Sequence, residues 1–135
     1  MENFKVHPML DADSVFVMNL PLSQCRLMNV REYPWLLLIP RQPNLRDWID
    51  LSFEDQIQLQ REINQMANVL KGQFPCEKLN IASLGNKTPQ LHIHVIARTS
   101  QDPAWPNPVW NTQATPYSTT EINEIKERLK TSVRG

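Results

Sequence analysis

Two of the chain's three histidines occupy alternate positions in the run Gln90-Leu91-His92-Ile93-His94-Val95-Ile96. Alternation of apolar and polar residues is the period-two pattern of a half-buried strand. Leu91, Ile93 and Val95 then face a core, and Gln90, His92 and His94 share the opposite side, one pleat apart. Two imidazoles and an amide in one short row have three uses: hydrogen-bonded structural residues, metal ligands or catalytic groups. The metal reading is the weaker chemical one. Zinc wants a third protein ligand, and His7, Cys25, Cys76 and the scattered carboxylates show no ligand-like spacing. No metal and no cofactor are expected, and the structural and catalytic readings stay open at this point.

The elements that must position this row follow from patterning. Ser14–Leu20 and Cys25–Val30 read as strands, the first closed by Pro21. Trp35–Ile39 is a continuous apolar run ended by Pro40, as in a central strand buried on both faces. From Ser52 the period changes: Ile57, Ile63, Met66, Ala67, Leu70 and Phe74 recur at three- and four-residue steps, predicting a long helix. Ser52 and Asp55 resemble a capping box at its start, and Gly72 and Pro75 mark its exit. Lys78–Leu84 and Gln90–Arg98 are then two further strands, joined by a connection of hairpin length. Strands, a long helix and a closing hairpin make an α+β pattern with an antiparallel sheet of about five strands.

The chain's 135 residues support one domain, read here as residues 1–135 with its core at 14–98. Residues 99–135 are a Pro/Trp-rich segment followed by a C-terminal helix. Asp102-Pro103-Ala104-Trp105-Pro106-Asn107-Pro108-Val109-Trp110 cannot be helix or interior strand, so it is expected to lie extended over the surface. Trp105 and Trp110 need cover, from the domain, a ligand or a partner subunit. Ser118 and Glu121 predict a capping box, with Ile122, Ile125 and Leu129 as the apolar stripe. His7, before Pro8, reads as a structural or surface residue in a short capping segment. Fourteen basic and fourteen acidic residues imply no broad basic field, which argues against nucleic acid as a partner. No apolar run reaches the length of a membrane span and no signal-peptide pattern opens the chain. Cys25 reads as a small buried hydrophobe, and two cysteines in dissimilar contexts point to a reducing cytoplasm.

The run Gly85-Asn86-Lys87-Thr88-Pro89-Gln90-Leu91-His92-Ile93-His94-Val95-Ile96 resembles the signature of the histidine triad (HIT) superfamily. There a Gly-Gln-Ser/Thr turn leads into a strand with three alternate histidines. Aligned without gaps, Gly85 matches the glycine, Asn86 the glutamine, and His92 and His94 the second and third histidines. Asn80 falls on an asparagine of the preceding strand, and Pro34–Arg41 is similar to the family's Pro-x-His-x-Leu-Val-Ile-Pro-Lys segment. Gln90 stands in place of the first triad histidine and Trp35 in place of the upstream one. The chain thus looks like a divergent small HIT domain protein of bacterial type.

That resemblance implies a HIT-like fold, a homodimer and a nucleotide-type substrate. It implies a hydrolase or nucleotidyl transferase acting at the α-phosphate of a phosphoramidate, a dinucleoside polyphosphate or a similar compound. His92 would be the nucleophile, because a neutral imidazole can attack phosphorus and split one displacement into two. Its other nitrogen would donate to the backbone carbonyl of Gln90. His94 would hold a phosphate oxygen, and Asn80, Asn86, Lys87 and Gln90 would bind phosphate or nucleotide. Trp35 is expected to fill the place of an imidazole with apolar bulk. The alternative is a nucleotide-binding module with weak or no turnover.

Overall fold

The computed structural model describes residues 3–134. In chain order the elements are α1 (Pro8–Asp13), β1 (Ser14–Asn19), β2 (Ser23–Met28), β3 (Trp35–Pro40), α2 (Phe53–Gln73), β4 (Lys78–Ser83), β5 (Ile93–Arg98) and α3 (Thr119–Arg134). A single 3₁₀ turn at Trp48–Asp50 precedes α2. The five strands form one antiparallel sheet in the order β1-β2-β3-β5-β4. This is the expected α+β class. The hairpin of β4 and β5 docks so that β5 becomes interior, with His94 opposite Leu37 of β3 and Ala82 of β4.

One face of the sheet makes the main core. Leu91, Ile93, Val95 and Ala97 pack there with Leu36 and Leu38 against Leu59, Ile63, Met66 and Leu70 of α2 and Ile125 and Leu129 of α3. The spacing of those α2 residues is the helical stripe that the sequence predicts. At its start Ser52 Oγ accepts the Asp55 N–H at 3.2 Å, but the Asp55 carboxylate bonds Gln42 instead of closing the box. Ile57 departs from expectation: it is 40 % exposed, while Glu62 is buried on the inner stripe. The Glu62 carboxylate accepts from Leu22 N and Ser23 N at 2.7 and 2.9 Å, tying the β1–β2 turn to the helix. Buried carboxylates need such donors. At α3 the capping box is complete, Ser118 Oγ accepting from Glu121 N and Glu121 Oε1 accepting from Ser118 N.

The opposite face is covered by the N-terminal segment and by the turns after β5 instead of long helices. Leu10 of α1 packs with Leu37 and Ile39, flanked by Phe4 and Val6. Tyr33, Trp35 and Ile96 pack with Ala104 and Val109 of the segment after β5. That segment is a run of turns and not an extended strap. Asp102 supplies the reason. Its carboxylate accepts from the backbone N–H groups of Thr99, Ala104 and Trp105 and pairs in two bonds with Arg98, at 2.7 and 3.0 Å. An acceptor that satisfies several nearby N–H groups favours turns over extended backbone.

Candidate functional site

The histidine row lies on this second face. Both imidazoles are buried and their ring centroids are 4.9 Å apart, edge to face. Regular β5 pairing begins at Ile93, later than the Gln90 that the alternation predicts. The residues before it are tied elsewhere: Leu91 N donates to Leu45 O at 3.0 Å. His92 Nδ1 lies 2.6 Å from the backbone oxygen of Gln90. A carbonyl only accepts, so Nδ1 carries the proton and the lone pair resides on Nε2. Among the described residues nothing hydrogen-bonds that Nε2. Burial, the larger effect, pulls the His92 pKa down, partly countered by the bond to Gln90. The ring is therefore neutral, as a nucleophile must be.

His94 is fixed by the opposite logic. The Trp35 indole N–H donates to His94 Nδ1 at 3.0 Å, so the His94 proton sits on Nε2. Trp35 fills its place with apolar bulk as expected, packed with Tyr33 and Ile96, and its one polar hydrogen in addition sets a tautomer. Trp110 closes on the same ring from the side, with centroids 4.7 Å apart, and Trp35 meets Trp110 at 5.2 Å. Desolvation first, then the neighbouring His92, hold the His94 pKa at about 3. Trp110, one of the two tryptophans in need of cover, makes this contact within its own chain, while Trp105 stays 37 % exposed.

Gly85 shapes the connection that passes over His92. Its φ is +102°, a region that disfavours side chains, and an added Cβ would sit 2.8 Å from Thr88 O and 3.7 Å from His92 Cε1. Thr88 is buried there with its hydroxyl on Met9 Sδ at 3.5 Å, so the connection closes against α1. Asn86 and Lys87 are exposed on its outer side. Lys87 lines a concavity of about 620 Å³ together with Asp13, Asn29, Trp35 and Trp110. The two tryptophans that touch His94 therefore wall a pocket with one ammonium at its edge and room for a nucleotide-sized ligand.

Not every residue singled out in the sequence converges there. Gln90 offers the site its backbone carbonyl. Its side-chain amide instead clamps the N-terminal segment, accepting from His7 N at 2.8 Å and donating to Lys5 O at 2.7 Å. Asn80 Oδ1 accepts from Arg98 Nη1 at 2.8 Å and so belongs to the Arg98–Asp102 cluster. His7 caps α1, its Nδ1 accepting from Met9 N. Sequence reading missed Arg98 and Asp102. The arginine is 2 % exposed and also donates to Asn107 O at 2.7 Å, which anchors the loop that carries Trp110. An Arg at the end of a buried strand with an Asp four residues on was the available signal. Among the described residues no three His, Cys, Asp or Glu side chains gather as a metal site. Cys25 is buried, its thiol pushed up to about 12 by desolvation and then by Glu62, which makes it inert as expected.

Comparison with known proteins agrees with this geometry. The HIT domain family model matches residues 10–101. A histidine triad protein from Bradyrhizobium japonicum is 41 % identical with a TM-score of 0.95, covering 98 % of this chain and 99 % of that one. One from Sinorhizobium meliloti 1021 is 39 % identical with a TM-score of 0.93, over 96 % of each chain. One from Marinobacter aquaeolei VT8 is 35 % identical with a TM-score of 0.95, over 98 % of each. No curated protein matches the chain.

Proposed function

Because the chain belongs to the HIT family, a family of nucleotide-binding and nucleotide-hydrolysing proteins, we propose that it is a nucleotide hydrolase or nucleotidyl transferase acting at the α-phosphate through a covalent nucleotidyl-His92 intermediate. The observation that carries this reading is the 2.6 Å contact of His92 Nδ1 with Gln90 O. It aims a neutral, unengaged Nε2 lone pair out of the row. His94, with Nε2–H as its free donor, holds a non-bridging oxygen of the same phosphate, where donors matter most as charge develops. Lys87 reaches the pocket edge from the connection, Asn86 stands exposed beside it as a further donor, and the Trp35–Trp110 pocket takes the nucleoside. Gln90 serves through its carbonyl, and Asn80 serves by bracing Arg98.

The test is capture of the intermediate. Wild-type protein mixed with nucleotide and quenched in alkali should carry one nucleotidyl group on the His92 peptide. His92→Ala should carry none and lose turnover, while nucleotide affinity changes much less. Undiminished turnover in His92→Ala would end the covalent reading. The second reading, a binding module with little turnover, is supported by the burial of both imidazoles, His92 beside Gly85 and His94 between Trp35 and Trp110. Binding without any adduct would select it.

We further read the assembly as a two-fold homodimer. β4 is an edge strand whose Ile81 is 49 % exposed and lines one concavity with Trp48, itself 55 % exposed. A second copy pairing β4 to β4 would cover edge and patch together. Sedimentation of Ile81→Lys, expected to be monomeric, checks this. Both cysteines are free, in keeping with a cytoplasmic setting. No helix among the described residues is long and apolar enough to cross a membrane.

A further inference from the structure

An amine or an alcohol leaves phosphorus readily only if a proton reaches it as its bond breaks. The connection between β4 and β5 carries a group placed to supply one. A Cβ added at Gly85 would meet His92 Cε1, the carbon bonded to Nε2, at 3.7 Å, so the connection starts against the reactive edge of that ring. Lys87 follows two Cα steps later, at most about 7.6 Å away, and its flexible four-carbon stem extends the reach of its ammonium further. It lines the 620 Å³ concavity with Trp35 and Trp110, the two indoles that flank His94. Among the described residues Lys87 makes no hydrogen bond or ion pair. The other titratable groups around the row are engaged or turned elsewhere. His94 has its Nδ1 taken by the Trp35 indole N–H at 3.0 Å, which leaves a neutral ring. Asp13 brings the same concavity a carboxylate, an acceptor. Asp11 and Asp102 are paired with Arg26 and Arg98. The charge of His7 is felt at His92, but its Nδ1 accepts from Met9 N at 3.1 Å, and it opens on a separate concavity with Gln42 and Arg46. Lys78 lies in another concavity that Trp110 also lines, with Asn80 and Pro108.

We propose that Lys87 is the general acid–base of the site: its ammonium protonates the departing atom, and the amine so formed takes a proton back from water. The inference deepens the covalent His92 reading and rests on it. In the first step His92 Nε2 bonds to the α-phosphorus, and the bond from phosphorus to the departing atom breaks with its electron pair left on that atom. Lys87 Nζ gives that atom a proton, so an amine or alcohol leaves neutral and Lys87 becomes an amine. The His92 ring is then cationic, its Nδ1–H still on Gln90 O at 2.6 Å. In the second step water attacks phosphorus and Lys87 accepts the proton that water loses. The bond from phosphorus to Nε2 breaks, its electron pair returns to the ring, and a nucleoside monophosphate is released. Both side chains end as they began. A leaving group that is stable as an anion takes no proton. Lys87 then stays an ammonium beside it, and the proton from water goes to solvent.

The experiment separates the proton of Lys87 from its charge. Lys87→Arg keeps a cation that does not release its proton, and Lys87→Met removes both. Each is assayed with adenosine 5′-phosphoramidate and with a series of aryl esters of adenosine 5′-phosphate, from nitrophenyl to phenyl. Proton transfer to a leaving group is commonly worth about 10²–10⁴-fold. Lys87→Arg should therefore lower kcat/KM for the phosphoramidate by about 100-fold or more and for the nitrophenyl ester by much less. The fall along the ester series should steepen in step. Lys87→Met should cut the nitrophenyl ester further than Lys87→Arg does, because the charge goes too. The residue is exposed, so both variants should unfold at the wild-type temperature. His7→Asn, which keeps a side-chain acceptor for the start of α1, should scale both substrates alike. An equal loss on both substrates in Lys87→Arg would reduce Lys87 to a charge and overturn the inference. A loss selective for the phosphoramidate in His7→Asn but not in Lys87→Arg would overturn it in favour of His7. In either case an adduct on wild-type His92 would leave the covalent reading standing. Absence of any adduct and any turnover in the wild type would overturn both.

Discussion

The His94 site makes a prediction about stability that is independent of any substrate. Its pKa is about 3 in the folded chain against 6.5 for a free side chain, because burial and then His92 oppose a positive charge. The unfolded chain therefore binds more protons than the folded one at any pH below about 6.5, and stability falls as pH falls. Integrating the difference from pH 7.5 to pH 5 gives a loss of about 2 kcal/mol, from His94 alone. The group is 7 % exposed, so solvent screening does not erode that figure much. His92 is shifted in the same direction and adds to it. Urea unfolding of wild type and His94→Gln at both pH values isolates the term. The amide oxygen of Gln retains an acceptor for Trp35, and whatever the variant costs outright cancels in the comparison. His94→Gln should lose about 2 kcal/mol less than wild type on acidification. Equal losses would show that His94 is protonated without penalty, and the tautomer argument would fail with it.

Three further outcomes follow from the geometry. Asp102→Asn leaves Arg98 buried with its charge unpaired, which should cost about 3–5 kcal/mol in thermal or urea unfolding and loosen Trp110, read as increased indole fluorescence quenching by acrylamide. Gly85→Ala places a Cβ 2.8 Å from Thr88 O at a φ of +102°, so it should destabilise by more than about 1 kcal/mol and reduce turnover through displacement of the cover over His92. Activity measured after exhaustive treatment with chelator should match that of untreated protein, since only imidazole, amide and ammonium groups are invoked; restoration of a lost activity by zinc or manganese would contradict the mechanism.

The sequence made the sheet and its two faces legible because those depend on local alternation. Leu91, Ile93 and Val95 report the core side by their own chemistry, and His92 and His94 the other. Helix starts at Ser52 and Ser118 were legible for the same reason, being set within three residues. Polar pairings between distant segments were not. Nothing near Gln90 announces that its amide reaches back to Lys5 and His7, 85 and 83 residues earlier. Trp35 looked like bulk because its N–H partner lies 59 residues on. Ile57 fitted the helical period yet falls at the margin of the buried stripe, where one turn of phase decides exposure. The segment after β5 carried too many prolines for helix or strand, but its turns depend on Asp102, whose partners span several residues.

The two faces of the sheet also divide the chain's freedom to change. α2 and α3 seal one face with aliphatic packing that tolerates little alteration of volume. The pocket lies on the other face, and residues outside the strands line much of it: the end of α1, the turn after β2, the β4–β5 connection and residues 109–114. Substitutions in those loops alter what the pocket accepts while the strand under the histidines stays registered by Leu37 and Ala82. Descendants of such a chain can exchange one ligand for another by remodelling a few surface turns, with the alignment of His92 and His94 inherited intact.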